Sequence, residues 1–179
     1  YPIPRIEDLL ASIGNAKVFS KLDVSHAYQQ LELDDDSKDF VTISTHKGLY
    51  RYNRLPFGVA SAPAIFQRTM ETLLRGLGNV CVYMDDILVC GSTEGEHSAT
   101  LNRVLERLQQ AGFRLKLAKC VFNAPSVEYL GYVITASGVR PAEEKVSALL
   151  KAPAPKNLTE LKSFLGMLNY YRKFLPHIA

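Results

Sequence analysis

Val80 to Gly91, VCVYMDDILVCG, is the stretch that most limits how this chain can fold. Apolar and aromatic residues run into Met84, Asp85 and Asp86 stand side by side, and Ile87, Leu88, Val89 and Cys90 lead away again. The pattern reads as a buried β-hairpin with acids at its tip. Adjacent carboxylates in poorly solvated surroundings repel and lose hydration, so such a tip calls for a compensating cation, and a divalent metal is the natural one. Asp is also a common turn residue, and on the hairpin alone an ordinary surface turn stays open. Cys81 and Cys90 would face each other if Asp85 and Asp86 were the central turn pair, and would be offset if the turn were Met84 and Asp85. Buried, reduced thiols are expected.

The chain has 179 residues, 47% of them hydrophobic, enough for one substantial core with a small appended unit. A net charge of +3 permits a polyanionic partner without demanding one. Three cysteines without a CxxC pair and four scattered histidines indicate neither a zinc site nor a disulfide framework. No apolar run reaches membrane-spanning length, and the opening YPIPRIEDLL is not a signal sequence, so a soluble, cytoplasmic chain is expected. Without a starting Met, the chain also reads as cut from a longer protein.

Ile6, Leu9, Leu10 and Ile13 form a short helical stripe between Pro4 and Gly14. KVFSKLD then alternates as a strand ending in Asp23, whose bland role is to cap the turn that VSHAYQQ suggests. The acid run LELDDDSKD has no apolar walls and reads as a solvated turn. Phe40–Ser44 and Leu49–Asn53 form a hairpin around THKG, and Ser61 and Pro63 open a helix carrying Phe66 and Met70. After the acidic hairpin, Thr93 and Glu96 suggest a capping box for a helix that stops at Gly112. FRLKL predicts a strand, with Arg114, Lys116 and Lys119 on a solvated edge, and VEYLGYVIT a strand pair about Gly131. Pro141 opens a helix with Val146, Leu149 and Leu150, KAPAPKN is a linker, and a last helix runs from Leu158 toward Pro176. This order is that of an α+β sheet with helices on one face. Three aspartates from two strand ends could converge at one sheet edge and hold two divalent cations about 3.5–4 Å apart, the arrangement that serves phosphoryl transfer. Magnesium suits such a set.

FSKLDVSHAY, LPFGVASAPAIFQ, YMDDILV, GFRLKLAKCVF and EYLGYVIT, in this order, resemble the palm motifs of reverse transcriptases. YPIPRIEDLL and LKSFLGMLNYYRKFLP resemble the gypsy-type branch of LTR retrotransposon Pol polyproteins in particular. The resemblance implies an RNA-directed DNA polymerase palm over 1–135 and thumb or connection helices over 136–179, with the fingers largely missing. It implies that Asp23 and Asp85 hold two Mg2+ ions, with Mn2+ able to substitute, aided by Asp86 and the backbone of Val24. Lys119 would be a general acid toward pyrophosphate. Tyr28 would be the steric gate against a ribose 2′-hydroxyl, and Phe57, Gly58 and Met84 would contact the incoming nucleotide. Phe57 stands where many retroviral enzymes have glutamine, so glutamine-type contacts do not carry over. Gln67, Tyr83, Tyr129, Leu130, Gly131, Tyr132, Arg172 and Lys173 would meet template or primer, the basic residues through phosphates. Implied partners are an RNA or DNA template with its primer, deoxynucleoside triphosphates, and the fingers, ribonuclease H and integrase portions of the polyprotein. The implied location is the cytoplasm, within virus-like particles. Without fingers to hold the triphosphate, feeble or no polymerisation is expected. A viral RNA polymerase palm and a catalytically inactive remnant that binds nucleic acid or protein are the rival readings; Tyr28 speaks against the first and the three retained aspartates against the second.

Overall fold

The computed structural model describes residues 1–143, 147, 151 and 153–170, the last without its side chain. Its centre is an antiparallel sheet in the order β4, β5, β1, β6, formed by Val80–Tyr83, Asp86–Gly91, Val18–Asp23 and Val121–Ala124 respectively. β1 and β5 are the inner strands, and they run side by side from Val18 opposite Gly91 to Asp23 opposite Asp86. The acidic hairpin therefore does not stand alone: its second strand is zipped to the strand that delivers the third aspartate.

Alternation along these strands sends side chains to two different cores. Leu22, Val82, Ile87 and Val89 pack on one face against helices α3 (Ala62–Leu73) and α4 (Glu94–Gln110), through Phe66, Met70, Leu101, Val104 and Leu108. Phe19, Cys81, Leu88 and Cys90 pack on the other against Val127, Tyr129 and Ile134. Those three belong to a second, three-stranded sheet of β7 (Ser126–Tyr129), β8 (Tyr132–Thr135) and β9 (Gly138–Pro141). Covered on both sides, β5 has Ile87 to Gly91 all buried, which explains its unbroken apolar run.

The remaining elements are smaller. Helix α1 is Ile6–Ala11, and β2 (Thr42–Thr45) with β3 (Gly48–Arg51) is a separate two-stranded hairpin. The acid run folds as a short exposed helix α2, Asp35–Asp39, capped by the Asp34 carboxylate accepting from the Ser37 amide at 2.7 Å. It is solvated, as its lack of apolar walls implied. Helix α5 covers Leu158–Tyr170.

Four expectations need correction or stand aside. FRLKL is not a strand: Leu115 makes an isolated bridge to Val24, the Lys116 amide donates to the Asp23 carbonyl at 2.9 Å, and Leu117–Lys119 coil into a 3-10 turn. The segment meets β1 only where that strand is already ending, so a ladder cannot continue. Pro141 closes edge strand β9, where its missing N–H is tolerated, and helical backbone begins two residues later, at Glu143. β6 and β9 were not foreseen, because VFNA and GVRP lack apolar alternation. Val146, Leu149, Leu150, Arg172 and Lys173 lie outside the described residues.

Candidate active site

The hairpin register settles where the acids sit. Tyr83 pairs with Asp86 and Cys81 with Leu88, so Met84 and Asp85 are the two turn residues and the cysteines are offset. All three cysteines are free thiols. Burial pushes the Cys90 thiol up to about 12 and raises that of Cys81 as well. Met84 takes a left-handed backbone conformation, φ +55°, which a side-chain-bearing residue adopts only at a cost. The Asp85 carbonyl accepts from the Val24 amide at 2.8 Å, tying the turn to the end of β1.

A pocket of about 340 Å³ opens at this junction, lined by Asp23, Val24, Tyr28, Phe57, Asp85 and Lys119, together with Ser25, His26, Ala27 and Lys116. Asp23 is 7% exposed, and its Oδ2 lies 3.2 Å from Lys119 Nζ. Asp85 is exposed at the turn. Asp86, opposite Asp23 in the register, does not line the pocket: its Oδ1 lies 3.3 Å from Lys21 Nζ, and both side chains are 24% exposed. Burial raises the Asp86 carboxyl above the usual range, Lys21 pulls it back, and the charges of Asp85 and Asp23 push it up again. Among the described residues no three His, Cys, Asp or Glu side chains stand close enough to form a ready metal cluster. What faces the pocket is a pair of hard oxygen donors, a set that fits magnesium, which keeps most of its waters and accepts one or two carboxylates.

The aromatic wall is built around Tyr28, which follows β1 in the 3-10 turn Ala27–Gln30. Its ring lies 5.3 Å from Phe57 and 5.6 Å from Phe66, and its hydroxyl is 3.8 Å from Met84 Sδ. Burial and the nearby Asp85 charge both raise the Tyr28 phenol, so it stays a neutral wall. Phe57 is 62% exposed, and Gly58 beside it has φ +89°. Gly58 and Met84 adjoin this wall without lining the pocket.

Several expected contact residues are placed elsewhere. Gln67 is fully buried under the hairpin, so it has no surface to offer a template. Tyr129 and Tyr132 are likewise fully buried in the second core, leaving Leu130 and Gly131 as the partly exposed turn between β7 and β8. Tyr83 is half-buried against that core. Lys116 is exposed, as a solvated edge implies, and it also lines the pocket as a second cation, directly ahead of the 3-10 turn Leu117–Lys119 that an alternating pattern does not show. A larger cleft of about 730 Å³ adjoins, sharing Ser25 and His26 and lined by Arg54, Arg114 and no acidic residue.

Residues 1–134 match the reverse transcriptase (RNA-dependent DNA polymerase) family. The chain belongs to that family. It is 38% identical over 181 aligned residues to the retrovirus-related Pol polyprotein from transposon 297 and 43% identical to that from transposon opus, both of Drosophila melanogaster. All of this chain is aligned in each case, against 17% and 18% of those polyproteins, so it spans less than a fifth of the relatives' length. The fold is similar to foamy viral protease-reverse transcriptase in complex with double-stranded DNA, with a TM-score of 0.89 at 28% identity, over 99% of this chain and 31% of that one. Against the foamy viral enzyme with an RNA/DNA hybrid the TM-score is 0.82 at 27% identity, over 96% and 23%. The α+β palm architecture is thus the reverse transcriptase's own, reached at an identity that leaves most surface residues free to differ.

Proposed function

We propose that this chain is the catalytic palm of an RNA-directed DNA polymerase, adding deoxynucleotides to a primer 3′-hydroxyl on an RNA or DNA template. The single observation that carries the reading is the pocket where Asp23 and Asp85, from separate strand ends, meet the Tyr28 wall and the Lys116 and Lys119 ammoniums. Two magnesium ions, or manganese in their place, would be held by Asp23, Asp85 and the Val24 backbone, and would supply activation of the hydroxyl and neutralisation of phosphate charge. Asp86 supports this set from behind, paired to Lys21. Lys119 is close enough to Asp23 to hold a proton at the edge where the pyrophosphate leaves, and Lys116 adds positive charge for the same anion. The Tyr28 ring, fixed by Phe57 and Phe66, closes the space beneath the sugar, which disfavours a 2′-hydroxyl. Phe57, Gly58 and Met84 form the nucleotide's border, and the Leu130–Gly131 turn is the part of the VEYLGYVIT segment that a primer can reach. The foamy viral relatives bound to double-stranded DNA and to an RNA/DNA hybrid support a template–primer partner. In this reading residues 1–135 are palm and 136–179 thumb, and the rest of the polyprotein supplies the triphosphate-binding fingers.

The test is primer extension on an RNA template by the protein carrying its polyprotein flanks, with deoxynucleotides and then ribonucleotides. Magnesium-dependent extension that prefers deoxynucleotides supports the reading. A folded, duplex-binding protein that extends nothing refutes it and leaves a nucleic-acid-binding remnant.

A further inference from the structure

Gln67 sits on α3, 0% exposed, and every hydrogen-bonding atom of its carboxamide is engaged. Nε2 donates to the Val82 carbonyl at 2.9 Å and to Glu71 Oε1 at 2.6 Å, while Oε1 accepts from the Met84 amide at 2.6 Å. The orientation of the amide is determined, because a backbone N–H can only donate and a carbonyl can only accept. Glu71, one helical turn on, holds the second Nε2 proton, and its own Oε2 accepts from the Tyr1 hydroxyl. The residue thus grips the last part of β4 and the first turn residue together. That turn residue is Met84, whose backbone is left-handed at φ +55° without being glycine or asparagine. Such a conformation persists only where its surroundings over-determine it, and the Gln67 bond is the side-chain contact made to the Met84 backbone itself, beside the Tyr28 hydroxyl near Met84 Sδ and the Val24 amide on the Asp85 carbonyl.

We propose that Gln67 is a positioning residue for the Met84–Asp85 turn. It holds Met84 in the left-handed conformation, and through it the Asp85 carboxylate on the pocket side facing Asp23; Glu71 fixes the amide. The proposal rests on the polymerase reading for its kinetic consequence, but the turn geometry is measurable without it. Gln67→Met preserves shape and removes all three hydrogen bonds, leaving the Met84 N–H and Val82 carbonyl unpaired. Glycine adopts positive φ freely, so Met84→Gly lowers the strain that Gln67 opposes.

The experiment is a double-mutant cycle on single-nucleotide incorporation at saturating template–primer, with Gln67→Met introduced into the wild-type and the Met84→Gly backgrounds. Misplacing Asp85 by about 1 Å is expected to slow incorporation roughly a hundredfold in the wild-type background. In the Met84→Gly background the same substitution is expected to cost less than about tenfold, the difference being the coupling. Equal losses in both backgrounds overturn the proposal. Amide hydrogen exchange gives the readout that does not need activity. The Met84 amide should exchange at least roughly tenfold faster in Gln67→Met while Leu88 and Val89 in β5 stay protected, and unchanged Met84 protection overturns the proposal. Glu71→Ala, at a half-buried position, keeps the fold if Gln67→Met does not, and is expected to loosen the Met84 amide in the same direction; no change there overturns it too. Absence of incorporation by the wild type counts against the polymerase reading, and the exchange measurement then decides the positioning role alone.

Discussion

Gly91 ends β5 directly beneath helix α4, and adding a single methyl group there tests how the helix is seated on the sheet. A Cβ built on Gly91 would lie 2.5 Å from His97 Cβ, 2.7 Å from His97 Cα and 2.7 Å from His97 N. Carbon atoms settle near 3.5 Å, so the helix must move by about 1 Å. Two of the three obstructing atoms are helix backbone, and no rotamer change relieves them. Overpacking costs about 1–3 kcal/mol, and a backbone obstruction belongs at the upper end of that range. For a chain of this size each kcal/mol lowers the melting temperature by about 2–4 °C, so Gly91→Ala should lower it by roughly 6–12 °C. Five residues of strand, about 17 Å, separate Gly91 from Asp86, so incorporation below the transition should match the wild type. Differential scanning calorimetry alongside single-turnover incorporation gives both quantities. His97→Ala in the same background should not restore stability, because the clash with helix backbone remains. A drop under about 2 °C, or rescue by His97→Ala, would refute the reasoning.

Three further outcomes follow from the same structure. Tyr28→Val should raise ribonucleotide incorporation relative to deoxynucleotide by at least roughly tenfold, since the wall beneath the sugar is removed; unchanged selectivity contradicts the gate. Cys120, the only cysteine not fully buried, should react with a thiol reagent at pH 8 while Cys81 and Cys90 stay unmodified until the chain unfolds, because burial keeps both protonated; peptide mass mapping reads the order. His97 is fully buried, and desolvation lowers its imidazole below the ordinary value of 6.5. It folds neutral, so its contribution to stability is present above pH 6.5 and is lost as pH falls through its lowered value; His97→Leu should flatten that acid limb in urea titrations.

How much of this was legible in the residues can be argued from particular elements. The acidic hairpin was, because an apolar run broken by Asp85 and Asp86 admits few other folds, and KVFSKLD announced its end in Asp23 by alternation. The turn register was not, since the residues of the hairpin allow either Met84–Asp85 or Asp85–Asp86 at the turn; only the pairing of Tyr83 with Asp86 shows which is formed. Gln67 itself was misplaced as a template contact, because a polar residue on an amphipathic helix looks exposed until its partners are known. Tyr129 and Tyr132 were misplaced for a similar reason: their segment faces a second core that composition does not reveal. Lys116 lines the pocket directly ahead of a 3-10 turn, where FRLKL promised a strand. In each miss a long-range contact overrode a local pattern.

The account rests most heavily on Asp23 and Asp85 acting together, and single-turnover incorporation on an RNA template measures that most directly. Wild type, Asp23→Asn and Asp85→Asn would be compared at saturating template–primer with binding measured separately. Incorporation should fall by at least roughly a thousandfold in both variants while template–primer affinity holds, as expected when charge that stabilises the transition state is removed. Near-wild-type incorporation by either variant would contradict the account.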